Sequence, residues 1–545
     1  MRDTSTSRGN RLVKKPVLRF ALLALTFSAA FNCVETADAR LPQNFISTLI
    51  TSAPSGDKFG SAIAVNGDIV AVGRPGFDNT GVSDVGAVQV FGGSKTSPGV
   101  FINLQTLTTS PFAAAADNCG YSVAISPNWI VAGSPNWDRP GLPILYNSGA
   151  VFIWKKDPNL NHWINTPFIQ HTNPYEQDRF GTSVALQEEV INGENIQTLA
   201  VGAPSDGLGN NSTQGAYANR GSVSLYKFDN VIDHWTINGF IPAIGVAQIP
   251  QNLLANGYFG VSVAISGDFM LIGAHRQSAD TSKQGTAFLF KRGTFVQPDP
   301  NDANRLWGEW HFVQALVSPE AKVDDQFGWS VSITPWNIII GAPAGIAGSP
   351  TEKGSATIWK LDPSNPPDYA SFPIRILGEN PGDQFGYSVL IKSQTALIGA
   401  IGVDNGTFLN TGRVYQYIRY KTECTDWRAS TPISPPPAAN IPNSGFGTSL
   451  ELGYNCVLIS APSGNNLQLA AGVAFSFDVP PPVPGCVSDL NGDDGVNGTD
   501  LALFFTHWSE CGGASQVADL NGDGCVNGLD LPYLFSSWGA CICGG

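Results

Sequence analysis

The sequence is short of charge, and of positive charge in particular. Only 14% of its 545 residues are charged, and 30 lysines and arginines stand against 44 aspartates and glutamates, which gives a net charge of −14. Nucleic acids and anionic lipids are bound through basic patches. The charge balance therefore argues against both as partners and suits a protein that meets divalent cations outside the cell.

Catalytic signatures are also missing. The sequence contains no Gly-x-Ser-x-Gly, no His-Glu-x-x-His and no phosphate loop, and its six histidines are spread along the chain. Beyond the N-terminal region, no apolar run is long enough to anchor the chain in a bilayer. What is present is 60 glycines, 38 prolines and 30 phenylalanines, with only two methionines. This composition predicts many short strands joined by turns, and so an all-β fold.

The first 39 residues have the pattern of a secretory signal peptide. A basic stretch from Arg8 to Arg19 precedes a short apolar run from Phe20 to Phe31, and Ala37-Asp38-Ala39 supplies a small-x-small cleavage pattern before Arg40. Removing residues 1–39 takes away six basic and three acidic side chains and moves the net charge from −14 to −17. We expect a secreted or cell-surface protein with no transmembrane segment after signal removal.

Most of the chain consists of seven copies of one module. Each copy opens on a Phe-Gly pair, with Cys replacing Phe in the second: Phe59-Gly60, Cys119-Gly120, Phe180-Gly181, Phe259-Gly260, Phe327-Gly328, Phe385-Gly386 and Phe446-Gly447. The glycines are 60, 61, 79, 68, 58 and 61 residues apart. Such a period is the signature of a repeat architecture.

Each module holds about four strands. A tight turn such as Asn66-Gly67 joins the first two, the second ends in a glycine-small-proline corner such as Gly202-Ala203-Pro204, and a longer loop leads to the third. One more strand, often marked by a tryptophan, precedes the next Phe-Gly. A sheet of this size cannot bury both faces alone, so the copies must stack. We predict a seven-bladed β-propeller over residues 42–478, with each Phe wedged between blades and each Gly allowing close backbone approach.

The recurring Phe-Gly and Gly-Ala-Pro elements resemble the FG-GAP repeat, the blade unit of integrin α-subunit propellers and of many secreted bacterial proteins. In the integrin-type module a calcium loop joins the first two strands. Here that connection is a tight turn in most copies, and the longer third copy (Gln187 to Gln197) lacks the ligand spacing. We therefore predict no calcium in the blades.

A different pattern follows a proline-rich linker at residues 479–485. Two twelve-residue segments, thirty positions apart, carry oxygen-bearing side chains at positions 1, 3, 5, 9 and 12 and offer a backbone carbonyl at position 7. Calcium takes six or more oxygen ligands in flexible geometry. The alternative is a pair of turns without metal. The predicted metal ligands are Asp489, Asn491, Asp493, Gly495, Asn497 and Asp500 in the first segment and Asp519, Asn521, Asp523, Cys525, Asn527 and Asp530 in the second.

Each segment runs into an amphipathic stretch, and the apolar residue at position 8 is expected to anchor the loop to a core. The pair resembles a dockerin domain. The resemblance implies that residues 486–545 form a small α-helical, EF-hand-like unit that binds about two Ca²⁺ ions and docks to a cohesin-like or other surface protein. Positions 10 and 11 help dockerins to choose a cohesin, and here they are Gly498-Thr499 and Gly528-Leu529.

The eight cysteines that follow the signal peptide leave their connectivity open. Cys119 occupies a blade Phe position, which favours a buried free thiol. Cys424 and Cys456 lie in the last blades and are close enough in the predicted fold to pair. Cys511 and Cys541 occupy equivalent positions of the duplicated unit.

We expect a secreted, non-catalytic protein of binding, adhesion or surface assembly. Its propeller would present a surface to an extracellular protein or polysaccharide, using the loops between second and third strands. The alternative is a polysaccharide hydrolase or lyase with its site in the propeller mouth. His275 replaces the corner proline in the fourth copy, and we expect it to be an ordinary surface residue.

Overall fold

The structure is a computed structural model that describes most of the repeats and part of the C-terminal region. The described residues are 45–50, 56–79, 81–94, 97, 99–109, 114–159, 162–191, 194–207, 219–230, 232–242, 256–277, 284–293, 297–299, 302–307, 310–320, 322–343, 352–362, 369–392, 395–419, 427–453, 456–464, 471–478, 490, 495–496, 498–508, 518, 520, 526–536 and 538–540. The predicted signal peptide and the linker at 479–485 lie outside them.

Antiparallel strands make up the chain from Phe45 to Asp478. In order they are β1 (Phe45–Leu49), β2 (Ile63–Asn66), β3 (Ile69–Arg74), β4 (Ala87–Gly93), β5 (Phe101–Thr108), β6 (Ser122–Ile125), β7 (Trp129–Ser134), β8 (Ala150–Lys156), β9 (Trp163–Asn165), β10 (Ile169–Gln170), β11 (Ser183–Ile191), β12 (Glu194–Ala203), β13 (Ser222–Asp229), β14 (His234–Pro242), β15 (Ser262–Ser266), β16 (Phe269–Ala274), β17 (Thr286–Arg292), β18 (Gln297–Asp299), β19 (Asp302–Trp307), β20 (Trp310–Leu316), β21 (Ser330–Ile333), β22 (Asn337–Ala342), β23 (Ser355–Leu361), β24 (Ala370–Leu377), β25 (Phe385–Lys392), β26 (Thr395–Ala400), β27 (Arg413–Arg419), β28 (Trp427–Ala429), β29 (Leu450–Gly453), β30 (Cys456–Ala461) and β31 (Val473–Asp478).

These strands form seven sheets, one for each copy of the module. The blades are β2–β5, β6–β10, β11–β14, β15–β17 with β20, β21–β24, β25–β28, and β29–β31 with β1. In the second blade two short strands, β9 and β10, share the outer position, and in the fourth β18 and β19 form a separate hairpin. The first strand of every blade contacts the first strands of both neighbouring blades, which closes the ring. The predicted seven-bladed propeller is confirmed.

The blades are one strand out of phase with the sequence repeat. The strand that precedes a Phe-Gly pair forms the outer edge of the previous blade, as β5 does on β4. At the ends of the array this offset leaves β1 to complete the seventh blade, antiparallel to β31, with Phe45 opposite Phe477. The hydroxyl oxygens of Ser47 and Ser476 lie 2.8 Å apart across this pair of strands. The ring is therefore closed by hydrogen bonds between the two ends of the propeller sequence.

The residue at each Phe position is buried between two blades, as predicted. Phe59 packs with Ile63 of the first blade and with Leu458 and Ala474 of the seventh. The seven positions, Phe59, Cys119, Phe180, Phe259, Phe327, Phe385 and Phe446, are all at most 1% exposed. Burial of one phenylalanine side chain stabilises a fold by about 1.5–3 kcal/mol. These seven positions thus contribute to each junction of the ring.

Glycines allow the blade backbones to meet at these junctions. A Cβ on Gly202, at the end of the third blade's second strand, would lie 2.0 Å from the carbonyl oxygen of Gly260 in the fourth blade. Gly260 has φ +87°, a conformation that side-chain-bearing residues rarely adopt. The Ser183 hydroxyl donates to that same carbonyl oxygen at 2.8 Å. Four other junctions repeat this serine bond, from Ser122, Ser262, Ser330 and Ser388.

Candidate calcium centre and the ligand face of the propeller

The C-terminal unit is built from two equivalent halves around a small core. Its described elements are β32 (Gly495–Val496), α1 (Gly498–Thr506), α2 (Leu531–Ser536) and β33 (Gly539–Ala540). β32 pairs with β33. The core joins residues that are thirty positions apart, namely Leu490 with Leu520, Val496 with Val526, and Phe504 with Leu534. The predicted helices are present, and the position-8 valines are fully buried, as expected.

The last predicted ligand of each segment occupies an equivalent place. Asp500 accepts a hydrogen bond from the Leu490 amide at 2.8 Å, and Asp530 accepts one from the Leu520 amide at 2.9 Å. Both aspartates are fully buried. Asp530 also accepts from the Asn527 amide at 2.8 Å. Each aspartate at position 12 is thus held next to the residue that follows position 1, which brings the two ends of each loop together.

Four of the twelve predicted ligands lie among the described residues: Gly495, Asp500, Asn527 and Asp530. The other eight, Asp489, Asn491, Asp493, Asn497, Asp519, Asn521, Asp523 and Cys525, lie outside them, so the complete ligand set stays a prediction. Oxygen donors throughout both segments fit a hard cation such as Ca²⁺. A carboxylate at the end of each loop is an oxygen donor of the kind that Ca²⁺ binds.

Aromatic side chains lie on the surface of both helical segments. Phe505 and Trp508 are 50% and 41% exposed, and Phe535 and Trp538 are 53% and 48% exposed. Their ring centroids are 5.4 Å apart in the first pair and 5.6 Å in the second. The sequence places these residues on amphipathic stretches; among the side chains described in α1 and α2, the structure buries Phe504 and Leu534 fully and leaves Phe505 and Phe535 exposed. The two halves therefore present matching apolar surfaces.

In the propeller, the loops between second and third strands lie at the Phe-Gly end of the blades. An aspartate at the base of three of them accepts a backbone amide across the loop: Asp78 from Asp84, Asp138 from Asn147, and Asp404 from Asn410. Two loops carry apolar tips, formed by Leu142, Ile144 and Tyr146 in the second blade and by Phe408 and Leu409 in the sixth. Much of the loops at 204–220 and 343–353 lies outside the described residues. These tips form an exposed surface suited to a partner.

A second motif, which the sequence analysis missed, precedes most of the Phe-Gly pairs by two residues. Asp57, Asp117, Asp178, Asp325 and Asp383 stand at this position, all at most 5% exposed. The last four accept amide hydrogen bonds from the residue three places earlier, as Asp117 does from Ala114 at 2.7 Å. The repeated Asp-x-Phe-Gly spacing is visible in the sequence and could have revealed this motif. Each of these hydrogen bonds closes a short turn in the connection that leads into the next blade.

Burial raises the pKa of these carboxyl groups. The pKa of Asp117 rises from 3.8 to about 7. Asp57 keeps a raised pKa although Arg74 donates two hydrogen bonds to it. The pKa of Asp178 rises to about 8 because of burial first and the nearby Asp206 second. His171 lies between Asp178 and Asp206, with nitrogen-to-oxygen distances of 4.0 and 3.8 Å.

We expect Asp117→Asn to remove part of the pH dependence of stability. Folded Asp117 binds its proton more tightly than the unfolded chain does, so its contribution is complete below about pH 4 and is lost as the pH rises through 7. Asparagine keeps an acceptor for the Ala114 amide without the charge. The stability difference between variant and wild type should grow by up to about 4 kcal/mol from pH 4 to pH 8. Thermal melts across this range measure it.

The control is Asp68→Asn, since Asp68 is an exposed aspartate of a hairpin turn in the first blade. It makes the same aspartate-to-asparagine change outside the buried Asp-x-Phe-Gly motif, so it should not reproduce the effect of Asp117→Asn. Parallel profiles for wild type and Asp117→Asn would contradict the prediction.

Two predictions about single residues need correction. His275 is not a surface residue: it is 7% exposed, because its ring packs between Tyr258 and Trp329 at centroid distances of 5.1 Å. Cys456 is a buried free thiol, so the pairing with Cys424 is wrong; Cys424 itself lies outside the described residues. Cys119 is a buried free thiol, as predicted. Cys511 and Cys541 also lie outside the described residues.

The longer connection in the third blade is a regular β-hairpin of β11 and β12. Glu188 in it accepts hydrogen bonds from Ser126, Asn128 and Asn195. Burial pushes the pKa of Glu188 upward, but these hydrogen bonds outweigh it and hold the pKa below its usual value. The Glu188 carboxylate is therefore hydrogen-bonded to residues of the second and third blades.

Comparisons with known proteins agree with this geometry. The FG-GAP repeat family matches residues 249–290, 310–358 and 378–417, and the dockerin type I domain matches residues 487–534. Three stretches of the seven-bladed propeller are therefore similar to the FG-GAP repeat, and the C-terminal unit is similar to the type I dockerin domain. More particularly, the chain carries FG-GAP repeats followed by a type I dockerin domain at its C-terminus, a type of domain that typically binds calcium and a cohesin partner.

No curated protein matches this chain. A crystal structure of Saccharomyces cerevisiae Sqt1 is similar at 10% identity, covering 81% of this chain and 100% of that chain, with a TM-score of 0.38. A likeness at that level carries no argument about function. Among the residues that the structure describes, no helix is both long and apolar enough to cross a membrane.

Proposed function

We propose that this is a secreted, non-catalytic binding protein whose dockerin domain attaches it to a cohesin-like partner. The observation that carries the proposal is the duplicated C-terminal unit, in which two fully buried aspartates close two equivalent loops over a shared core. Two Ca²⁺ ions, one for each loop, would be held by the twelve predicted ligands. Bound calcium would supply the positive charge that the clustered carboxylates need to stay together.

The partner would contact the exposed aromatic pairs. Phe505 with Trp508 and Phe535 with Trp538 lie on equivalent parts of the two halves, and each pair combines large apolar area with few rotatable bonds. Aromatic residues of this kind dominate binding energy when a partner covers them. Leu529, at position 11 of the second loop, is 65% exposed and would extend the second contact surface.

The propeller would present a protein- or glycan-binding surface at its Phe-Gly end. The support is the set of rim loops braced by Asp78, Asp138 and Asp404, since braced loops hold their tips in fixed places with little entropy to lose on binding. The alternative is a polysaccharide hydrolase or lyase with its site in the propeller mouth. It predicts cleavage of a polysaccharide, which can be measured on the same purified protein.

The test measures binding of the full mature chain to a panel of immobilised type I cohesin modules. We expect binding in 1 mM calcium and none in excess EGTA. Trp508→Ala combined with Trp538→Ala should weaken binding about 100-fold or more, because two central aromatic contacts are lost. Leu142→Ala, an exposed apolar residue of a propeller rim loop, is the matched control and should bind like wild type.

Binding that persists in EGTA, or that ignores the paired tryptophan substitutions, would overturn the proposed attachment. Incubation of the same protein with cellulose, xylan, pectin and chitin, followed by measurement of new reducing ends or unsaturated products, tests the non-catalytic part. Product formation would favour the enzyme alternative.

A further inference from the structure

The residue that follows each Phe-Gly glycine occupies a special place in the ring. It lies within two residues of the start of the first strand of its blade, and the first strands surround the propeller axis. The seven residues are Ser61, Tyr121, Thr182, Val261, Trp329, Tyr387 and Thr448. Three of them are aromatic, in the second, fifth and sixth blades. Large rings are thus concentrated at the Phe-Gly end of the axis.

Two of these rings, Trp329 and Tyr387, join a continuous series, here called the aromatic row: Tyr258, His275, Trp329 and Tyr387. Centroid distances are 5.1 Å from Tyr258 to His275, 5.1 Å from His275 to Trp329, and 5.7 Å from Trp329 to Tyr387. Burial first and Tyr121 second raise the pKa of Tyr387. The aromatic row follows the Phe-Gly end of the fourth, fifth and sixth blades.

The aromatic row is partly accessible and has buried polar atoms without hydrogen-bond partners beside it. Tyr258, Trp329 and Tyr387 are partly exposed, whereas His275 is buried. Within the described part of the chain, His275 Nδ1 is buried and has no hydrogen-bond partner, and the same holds for Arg276 Nε. A buried polar atom without a partner costs free energy, so such atoms beside a surface indicate a ligand that would pair with them.

The chemistry of the aromatic row selects the ligand. Burial lowers the pKa of His275 to about 3, so the imidazole is neutral and offers one donor and one acceptor. The Arg276 guanidinium already lies 5.7 Å from the Tyr258 ring centroid, which disfavours a second cation there. The net charge of −14 disfavours a polyanion. A pyranose ring combines an apolar C–H face, which stacks on indole and phenol rings, with a rim of neutral hydroxyl groups.

We propose that the aromatic row is a saccharide-binding site at the Phe-Gly end of the propeller axis. Trp329 and Tyr387 would stack on a sugar ring, and His275 and the tyrosine hydroxyls would bind its hydroxyl groups. The proposal rests on the proposed function, because it names the ligand class and the place of the propeller's binding surface. It does not require the dockerin domain to have a particular partner.

The experiment titrates fluorescently labelled cellohexaose, xylohexaose, mannohexaose, laminarihexaose and chitohexaose into the full mature chain, with fluorescence polarisation as the readout. At least one should bind with a Kd below about 1 mM. Trp329→Ala should weaken that binding about tenfold or more, since a stacking surface is removed. Trp336→Ala is the matched control, because Trp336 lies in the β21–β22 turn at the other end of the same blade, and it should leave binding unchanged.

A second variant keeps the test valid if Trp329→Ala fails to fold. His275→Phe keeps a ring between Tyr258 and Trp329 and removes the imidazole nitrogens, so it should retain the melting temperature and weaken binding about threefold to tenfold. The proposal is overturned if none of the five saccharides binds, if Trp329→Ala and Trp336→Ala behave alike, or if an arginine-rich peptide binds at the aromatic row instead.

The two proposals fail in different ways. Loss of calcium-dependent cohesin binding overturns the proposed attachment and leaves the saccharide titration unaffected. Release of reducing ends from a bound saccharide overturns the non-catalytic proposal. If Trp329→Ala abolishes that release, the result still supports the aromatic row as the saccharide-binding site.

Discussion

Deletion of residues 40–50 is expected to unfold the whole propeller rather than its last blade alone. The deletion removes β1, leaves the seventh blade with three strands and exposes the edge of β31. Because every blade packs on two neighbours, a loosened seventh blade exposes the apolar junctions on both its sides, including the one around Phe59. We expect the melting temperature to fall by more than about 15 °C, or the protein to be recovered only as aggregate.

The matched variant strengthens the same contact. In Ser47→Cys with Ser476→Cys, oxidation would link strands whose hydroxyl oxygens are 2.8 Å apart. A disulfide closing a loop of this length stabilises by up to about 6 kcal/mol in the chain-entropy model. Differential scanning calorimetry with and without reducing agent compares the two states. A deletion variant that melts like wild type would show that β1 does not hold the ring closed.

Asp500→Ala together with Asp530→Ala is expected to abolish calcium binding and unfold the C-terminal unit while the propeller stays folded. Each substitution removes a fully buried carboxylate and leaves the amide of Leu490 or Leu520 without its acceptor. An unpaired buried amide costs about 1–3 kcal/mol, and a lost calcium ligand adds to this. For a unit whose core contains few residues, the combined loss exceeds the stability available.

Equilibrium dialysis with radioactive calcium measures the effect on the full mature chain. Wild type should bind two ions, each single variant about one, and the double variant none. Asp68→Ala, in a blade turn, is the control and should still bind two. The main melting transition should be the same in all four proteins. Two ions bound to the double variant would mean that the position-12 aspartates are not ligands.

The sequence predicts the blades because their signal is repeated seven times. One Phe-Gly pair is weak evidence, but six Phe-Gly pairs and one Cys-Gly pair at spacings of 58 to 79 residues indicate a repeat, and the buried Phe positions follow from it. The offset between blade and repeat is not visible in any single copy. It becomes apparent only when β1, which precedes the first Phe59-Gly60, is seen to lack a preceding blade and to pair with β31.

Individual side chains were harder to predict, for physical reasons that differ. His275 was expected at the surface because it replaces a proline at a corner, but burial depends on Trp329, which is 54 positions away in sequence and in the next blade. The buried aspartates of the Asp-x-Phe-Gly motif look like solvent-exposed turn residues in sequence. Only the structure shows that their carboxylates are enclosed at blade junctions and bonded to amides such as that of Ala114.

The position of β31 also decides how the protein would respond to mechanical load. A propeller tethered through its C-terminus receives tension at Asp478, the end of a strand that has β30 on one edge and β1 on the other. Force along this strand must shear two ladders of hydrogen bonds together, whereas an edge strand would be peeled away from a single neighbour. The strand β1, which precedes the first blade in sequence, therefore clamps the strand from which the tether leaves.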